Sequence, residues 1–215
     1  DLCIDAGAVD LNTIASPTGG TYFGQGVIGS IFNPSNAGIG THEIIYIYGQ
    51  GSCFSTDTIA ITVNPLPIID LSTNIDGICV SESTLSLSAT PAGGIWTGSG
   101  GAVISGNIFN PNASGIGNYN LDYTFTDSNG CSNTNTWTIE VYDLPIISSS
   151  DISYCDLPGV VSLPFASPIG GTWTGPGVTD AAGLFDPTLV SGIGSYTLMY
   201  SYSDNFGCSN FTEIT

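Results

Sequence analysis

Hydrophobic and polar residues alternate along this chain in short runs, and no run has a helical period. The clearest runs lie mid-chain. Over residues 119–126, Tyr119, Leu121, Tyr123 and Phe125 fall on one side of an extended backbone. Over residues 131–141, Cys131, Trp137, Ile139 and Val141 share a face. Alternation with period two predicts half-buried β-strands. Asp127-Ser128-Asn129-Gly130 separates the two runs and predicts a hairpin turn, with Gly130 free to take φ > 0. Shorter strands are predicted over 68–71, 84–89, 94–97 and 107–110, the last ended by an Asn-Pro turn.

The pattern recurs. Cys3, Cys79 and Cys155 are spaced by 76 residues, and Cys53, Cys131 and Cys208 by 78 and 77. Between the members of each pair the same landmarks return in order. A Pro-x-Gly-Gly turn stands at Pro17, Pro91 and Pro168, and an aromatic strand start follows at Tyr22, Trp96 and Trp173. Then come Phe32-Asn33-Pro34, Phe109-Asn110-Pro111 and Phe185-Asp186-Pro187, and a Gly-Ile-Gly at Gly38, Gly115 and Gly192. Self-similarity at a fixed period is the signature of a repeat protein. Short strands, turns every 8 to 12 residues and two Cys about 50 apart predict an immunoglobulin-like sandwich. The expected fold is therefore all-β: three tandem Ig-like β-sandwich modules of about 76 residues forming an extended rod. Their bounds are 1–64, 65–142 and 143–215. The joints Asn64-Pro65-Leu66-Pro67 and Tyr142-Asp143-Leu144-Pro145 are short and Pro-stiffened.

Repeat 1 has only Asp1 and Leu2 ahead of its first Cys, where repeat 2 has a whole strand; repeat 3 stops seven residues past Cys208. This is read as an excerpt from a longer array. The other reading is a strand donated by a neighbouring subunit.

Composition removes whole classes of function. The chain has 215 residues, no Lys, no Arg, one His and 18 acidic residues, for a net charge of −18. Phosphate binding needs cationic side chains, so nucleic acid is excluded as a partner. Anionic membrane surfaces fall for the same reason, and no apolar run reaches the ~18 residues that would allow membrane insertion. The absence of Lys and Arg leaves no trypsin-type cleavage site. Excess acid keeps a Ser/Thr/Asn/Gly-rich surface soluble and self-repelling.

Candidate chemistry is sparse. The repeat selects the pairs Cys3–Cys53, Cys79–Cys131 and Cys155–Cys208 out of fifteen connectivities. Each would close a loop of about 50 residues and stabilise by roughly 4 kcal/mol. Paired Cys imply an oxidising, extracytoplasmic compartment, and buried free thiols are the alternative. His42 stands where the other repeats have Tyr119 and Tyr196, so it is read as structural. No carboxylate pair recurs, and no enzyme is expected. Tyr22, Trp96 and Trp173 are read as core aromatics packing on the disulfide, with a sugar-stacking platform as the alternative. Trp137 aligns with Ile59 and Ile214 and is read as core. Asp127 and Asp204 resemble the start of a calcium loop but lack its later Glu, so a plain hairpin turn is preferred. No cofactor is expected other than calcium, which Asp70, Asp76, Asp143 and Asp151 near the joints are candidates to hold. Asn112-Ala113-Ser114 and Asn210-Phe211-Thr212 are N-glycosylation sequons in form.

The stretch 170–178, Gly-Gly-Thr-Trp-Thr-Gly-Pro-Gly-Val, the Phe-Asp-Pro turn, and Gly-x-Gly-x-[His/Tyr] leading into Tyr-x-Tyr-x-Asp-x-x-Gly-Cys together resemble one family. They are similar to the tandem Ig-like repeats of giant Bacteroidetes cell-surface adhesins, the SprB-like gliding-motility adhesins among them. The resemblance covers the chain once per repeat. It implies type IX secretion, an extracellular cell-surface filament and a role in attachment or gliding. Asp57-Thr58-Ile59 resembles the O-glycosylation motif of the same bacteria, which makes Thr58 a modification candidate. The expected function is a structural stalk segment of a secreted adhesin. Its expected partners are neighbouring repeats of the same array and, beyond them, surface glycans or abiotic surfaces. The alternative is a carbohydrate-binding array of a polysaccharide-degrading protein.

Overall fold

The computed structural model of the chain describes residues 1–50, 53–72, 75–153 and 159–215. It is built of strands, with only single-turn helical segments between them. Each repeat carries a larger and a smaller sheet. In repeat 1 the larger sheet runs in the order Leu2–Cys3, Cys53–Asn64, Gly40–Gln50, Thr21–Phe23; the smaller joins Val9–Asp10, Ile31–Phe32 and Val27–Ile28. Repeat 2 repeats the plan with Ile95–Ser99, Gly117–Thr126, Ser132–Tyr142 and Gly77–Cys79 in one sheet and Ile104–Ser105, Ile108–Phe109 and Leu85–Ser86 in the other. In repeat 3 the described sheets are Thr172–Thr174, Leu198–Ser203, Ser209–Ile214 and the pair Val161–Ser162, Leu184–Phe185.

The inward residues of the two sheets, with residues of the segments beside them, form the cores. Leu11, Tyr22, Phe32, Ile44 and Val63 are buried together in repeat 1. Leu163, Trp173, Leu198, Tyr200 and Ile214 do the same in repeat 3. In repeat 2, Tyr119, Leu121, Tyr123, Trp137, Ile139 and Val141 are buried, as the alternation predicts, while Phe125 is half-buried. Two facing sheets over an apolar core make each repeat a β-sandwich.

Local departures from expectation have local causes. The Asn-Pro turn is a single helical turn, Pro34–Ala37 and Pro111–Ser114, because Asn33 and Asn110 accept hydrogen bonds from the free N–H groups of that turn and Pro fits its first position. The strand expected over 68–71 is only a bridge, Asp70 to Thr90. Two strands of repeat 2 escaped the sequence reading: Ile104–Ser105 pairs antiparallel with Ile108–Phe109, and Gly77–Cys79 lies parallel to the end of Ser132–Tyr142, as Leu2–Cys3 lies parallel to Cys53–Asn64.

By compactness the chain divides into two units. One holds residues 1–73, 88–97 and 122–137; the other holds 74–87, 98–121 and 138–215.

Candidate functional site: the joints between repeats

The disulfides correct the expected pairing. Cys3 is bonded to Cys131 and Cys79 to Cys208, each with Cα atoms 5.5 Å apart. Cys53 is free and exposed. Cys155 lies outside the described residues, so the expected Cys155–Cys208 pair fails on Cys208, which is bonded to Cys79.

Strand geometry explains the correction. Cys3 is paired in register with Asn64, the last residue of the strand that begins at Cys53. Those two positions are eleven residues apart, about 36 Å at a strand's rise per residue. A disulfide needs Cα atoms within about 7 Å. Cys79 is likewise in register with Tyr142, at the far end of the strand that follows Cys131. In repeats 1 and 2 one cysteine therefore sits at the base and the other at the hairpin tip.

The next repeat brings a tip to each base. After the joint, the chain runs beside its own hairpin: Asn133 Nδ2 donates to the Pro67 carbonyl at 2.9 Å and Asn135 Nδ2 to the Ile69 carbonyl at 3.2 Å. The tip cysteine, Cys131, is thereby held beside the joint, where the last strand of repeat 1 ends next to Cys3. Repeat 3 does the same through Asn210 Nδ2, 3.0 Å from the Pro145 carbonyl. There the Phe206 ring also stacks on Tyr142, centroids 4.2 Å apart. Burial, with Glu140 and Asp76 nearby, pushes the Tyr142 phenol above its ordinary value. No periodic signal in the sequence marks Asn133, Asn135 or Asn210 as joint residues; only Asn133 and Asn210 occupy equivalent places.

Asp127 and Asp204 shape the tips. Asp127 Oδ1 accepts from the N–H groups of Asn129 and Cys131, both at 2.9 Å, and Asp204 Oδ1 accepts from Phe206 and Cys208 in the same way. Gly130 and Gly207 take φ of 83° and 84°. These carboxylates build hairpin turns that aim the cysteines.

The other candidates fall into structural places. Tyr22, Trp96 and Trp173 are buried. Their ring partners are Tyr46, Tyr123 and Tyr200, centroids 4.7, 5.0 and 5.1 Å away. The disulfides lie at the joints, so the expected packing of these aromatics on an intra-repeat disulfide is replaced by packing on a tyrosine. His42 is buried and its Nε2 donates to the Gly38 carbonyl at 2.8 Å. Tyr119 and Tyr196 reach the equivalent carbonyls of Gly115 and Gly192 through their hydroxyls. His42 is thus a tyrosine substitute that closes the same loop.

The four joint carboxylates are not brought together. Asp143 Oδ1 caps the N–H of Leu144, Asp151 Oδ1 that of Thr215, and the backbones of Asp70 and Asp76 are spent on Thr90 and Glu140. Among the described residues no three acidic, His or Cys side chains gather in a metal-binding group. Thr58 is exposed on the strand Cys53–Asn64. Asn112 is exposed, while the half-buried Asn210 amide is committed to the joint. Repeat 3 also holds a pocket of about 510 Å³, lined by both polar and apolar groups, whose lining side chains carry no charge; its one phenol, Tyr196, is tied to the Gly192 carbonyl.

No protein-family model matches the chain, and no curated protein matches it. Solved structures match it loosely. Extracellular domains 3–5 of Drosophila OTK align at 12% identity over 82% of this chain and 70% of that one, with a TM-score of 0.33. The insect immune protein hemolin aligns at 8% identity over 80% of this chain, with a TM-score of 0.30; the chain spans 55% of its length. Bacteroides ovatus SGBP-B, solved with a mixed-linkage heptasaccharide, aligns at 15% identity over 100% of this chain and 64% of that one, with a TM-score of 0.24.

Proposed function

We propose that the chain is a structural stalk segment of a secreted cell-surface adhesin or filament, of the kind its repeat motifs resemble among the Bacteroidetes attachment and gliding adhesins. The observation that carries this reading is the joint, where the base of one repeat is covalently bonded to the hairpin tip of the next, twice over. These bonds shorten the covalent path across both joints and so limit extension under load. Disulfides form and persist in oxidising compartments, which fits an extracellular stalk. No helix among the described residues is long and apolar enough to cross a membrane. Tyr22, Trp96 and Trp173 are buried, so these three recurring rings do not form a sugar-stacking platform.

Two measurements on the full chain test the reading. On glycan arrays and abiotic surfaces it should show no saturable binding. Held by its two ends under load, it should stop extending at about 210 Å, because the shortest covalent path crosses both disulfides and spans only about 60 residues. Reductant should release it to about 750 Å. Saturable binding, or full extension without reductant, would overturn the proposal.

A further inference from the structure

Repeats 2 and 3 have their hairpin flanks covered. In repeat 2 the joint segment lies beside Asn133 and Asn135, Asp70 exchanges both backbone hydrogen bonds with Thr90, and Ile69 and Leu71 are buried. In repeat 3 Pro145 lies beside Asn210, Ser148 exchanges both backbone hydrogen bonds with Ser167, and Ile147 packs on the core. The tip cysteines Cys131 and Cys208 are both 0% exposed.

Repeat 1 presents the same flank without that cover. Ile59 is 43% exposed, where its equivalents Trp137 and Ile214 are 5% and 3% exposed. Tyr48 is exposed, where Phe125 and Tyr202 are half-buried. Ser16 stands where Thr90 and Ser167 pair, and it has no hydrogen-bond partner among the described residues. Cys53, the tip cysteine, is a free, exposed thiol.

We propose that this flank (Ser16, Tyr48, Cys53 and Ile59) is an acceptor for the joint of another repeat of the same kind. Its occupant is an extended Leu-Pro-Ile-Ile strand, the sequence found at 66–69 and 144–147. With it comes a base cysteine equivalent to Cys3 and Cys79, which bonds to Cys53. The occupant follows from the molecule itself, because this segment and this cysteine cover the same flank in both other repeats. An S–S bond forms between Cys53 and the incoming thiol. Two electrons and two protons pass to a small disulfide oxidant such as oxidised glutathione, whose own S–S bond breaks to leave two thiols. The inference rests on the reading of the chain as part of a repeat array.

Two arms test it. In the first, a copy of residues 64–76 is placed ahead of Asp1, which sets Leu-Pro-Ile-Ile as far before Cys3 as it stands before Cys79. Amide exchange at Ser16 should slow at least tenfold, and the slowing should vanish when Ile69→Ser and Leu71→Ser are made within the copied segment. Unchanged exchange, or slowing that survives those substitutions, overturns the strand. In the second arm the unaltered chain is oxidised with oxidised glutathione at about 1 mM, the effective concentration of linked modules. Cys155 stands in sequence where Cys3 and Cys79 do. Mapping after acid-specific proteolysis should find Cys53 joined to Cys155 of a second copy, and Cys53→Ser should abolish the oligomers. Symmetric Cys53–Cys53 dimers alone, a Cys53–Cys155 bond within one copy, or no oligomers would overturn the cysteine's role. Peptides carrying Cys3–Cys131 and Cys79–Cys208 separate the two proposals: if they are present while both arms fail, the array reading stands and the acceptor falls.

Discussion

The hydroxyl of Tyr123 does two things at once. It donates to the Pro91 carbonyl at 2.6 Å and accepts from the Gly94 N–H at 2.7 Å, closing the Pro-x-Gly-Gly turn onto the central strand. Tyr46 makes the same pair of bonds to Pro17 and Gly20, and Tyr200 to Pro168 and Gly171. The second glycine of each turn is required because a Cβ there would run into the tyrosine ring. Removing the hydroxyl leaves a partly buried carbonyl and N–H without their partner, each costing about 1–3 kcal/mol when unsatisfied. Tyr123→Phe should therefore lower stability by about 2 kcal/mol in denaturant titration. A loss below a few tenths of that would mean water replaces the hydroxyl. The sequence shows both ends of this clamp, the turn and the tyrosine, but does not show that they meet, because they are about thirty residues apart.

At the scale of elements, the long hairpins of repeats 2 and 3 were legible because they are local: alternation gives the faces and Asp-x-x-Gly gives the turn. The parallel base strands were not. Gly77–Cys79 and Leu2–Cys3 are too short to show a period, and their partners lie about sixty residues away. The short helical turns were hidden for a related reason, since one turn has no periodicity and is specified by its cap. Repeat 3 caps that turn with Asp186, where repeats 1 and 2 use Asn33 and Asn110. The hydroxyl and backbone N–H of Thr188 hold the Asp186 carboxyl below its ordinary value. A carboxyl whose folded pKa is depressed stabilises the fold above its unfolded pKa, near 4, and loses that contribution as pH falls through the folded value. Melting of repeat 3 between pH 6 and 2.5 should fall less steeply in Asp186→Asn than in the parent. Identical slopes would show that the cap does not discriminate between the two protonation states.

For the whole molecule, the β-sandwich character was legible from the spacing of strands and turns, whereas the disulfide connectivity was not. The repeat shows which cysteines are equivalent; it does not show that an eleven-residue strand separates the two in one repeat, nor that the joint folds the next tip back onto the preceding base. The corrected pairing has a consequence that intra-repeat pairing lacks. The loops 3–131 and 79–208 overlap, so residues 79–131 belong to both. Each bond closes a loop of 128 or 129 residues by sequence separation, worth about 5 kcal/mol on the chain-entropy model. A cut in the first joint does not divide the molecule, because Cys3–Cys131 spans it. This suits a chain that offers proteases no Lys or Arg and keeps its pieces together if one cuts elsewhere. A specific protease site inserted after Asn64 tests the topology. After complete cleavage, the chain should migrate at its intact 22.1 kDa without reductant and as two fragments with it. With Cys3→Ser, the fragments should separate under both conditions. Separation of the unsubstituted chain without reductant would return the pairing to Cys3–Cys53 and remove the covalent joint on which the stalk reading stands.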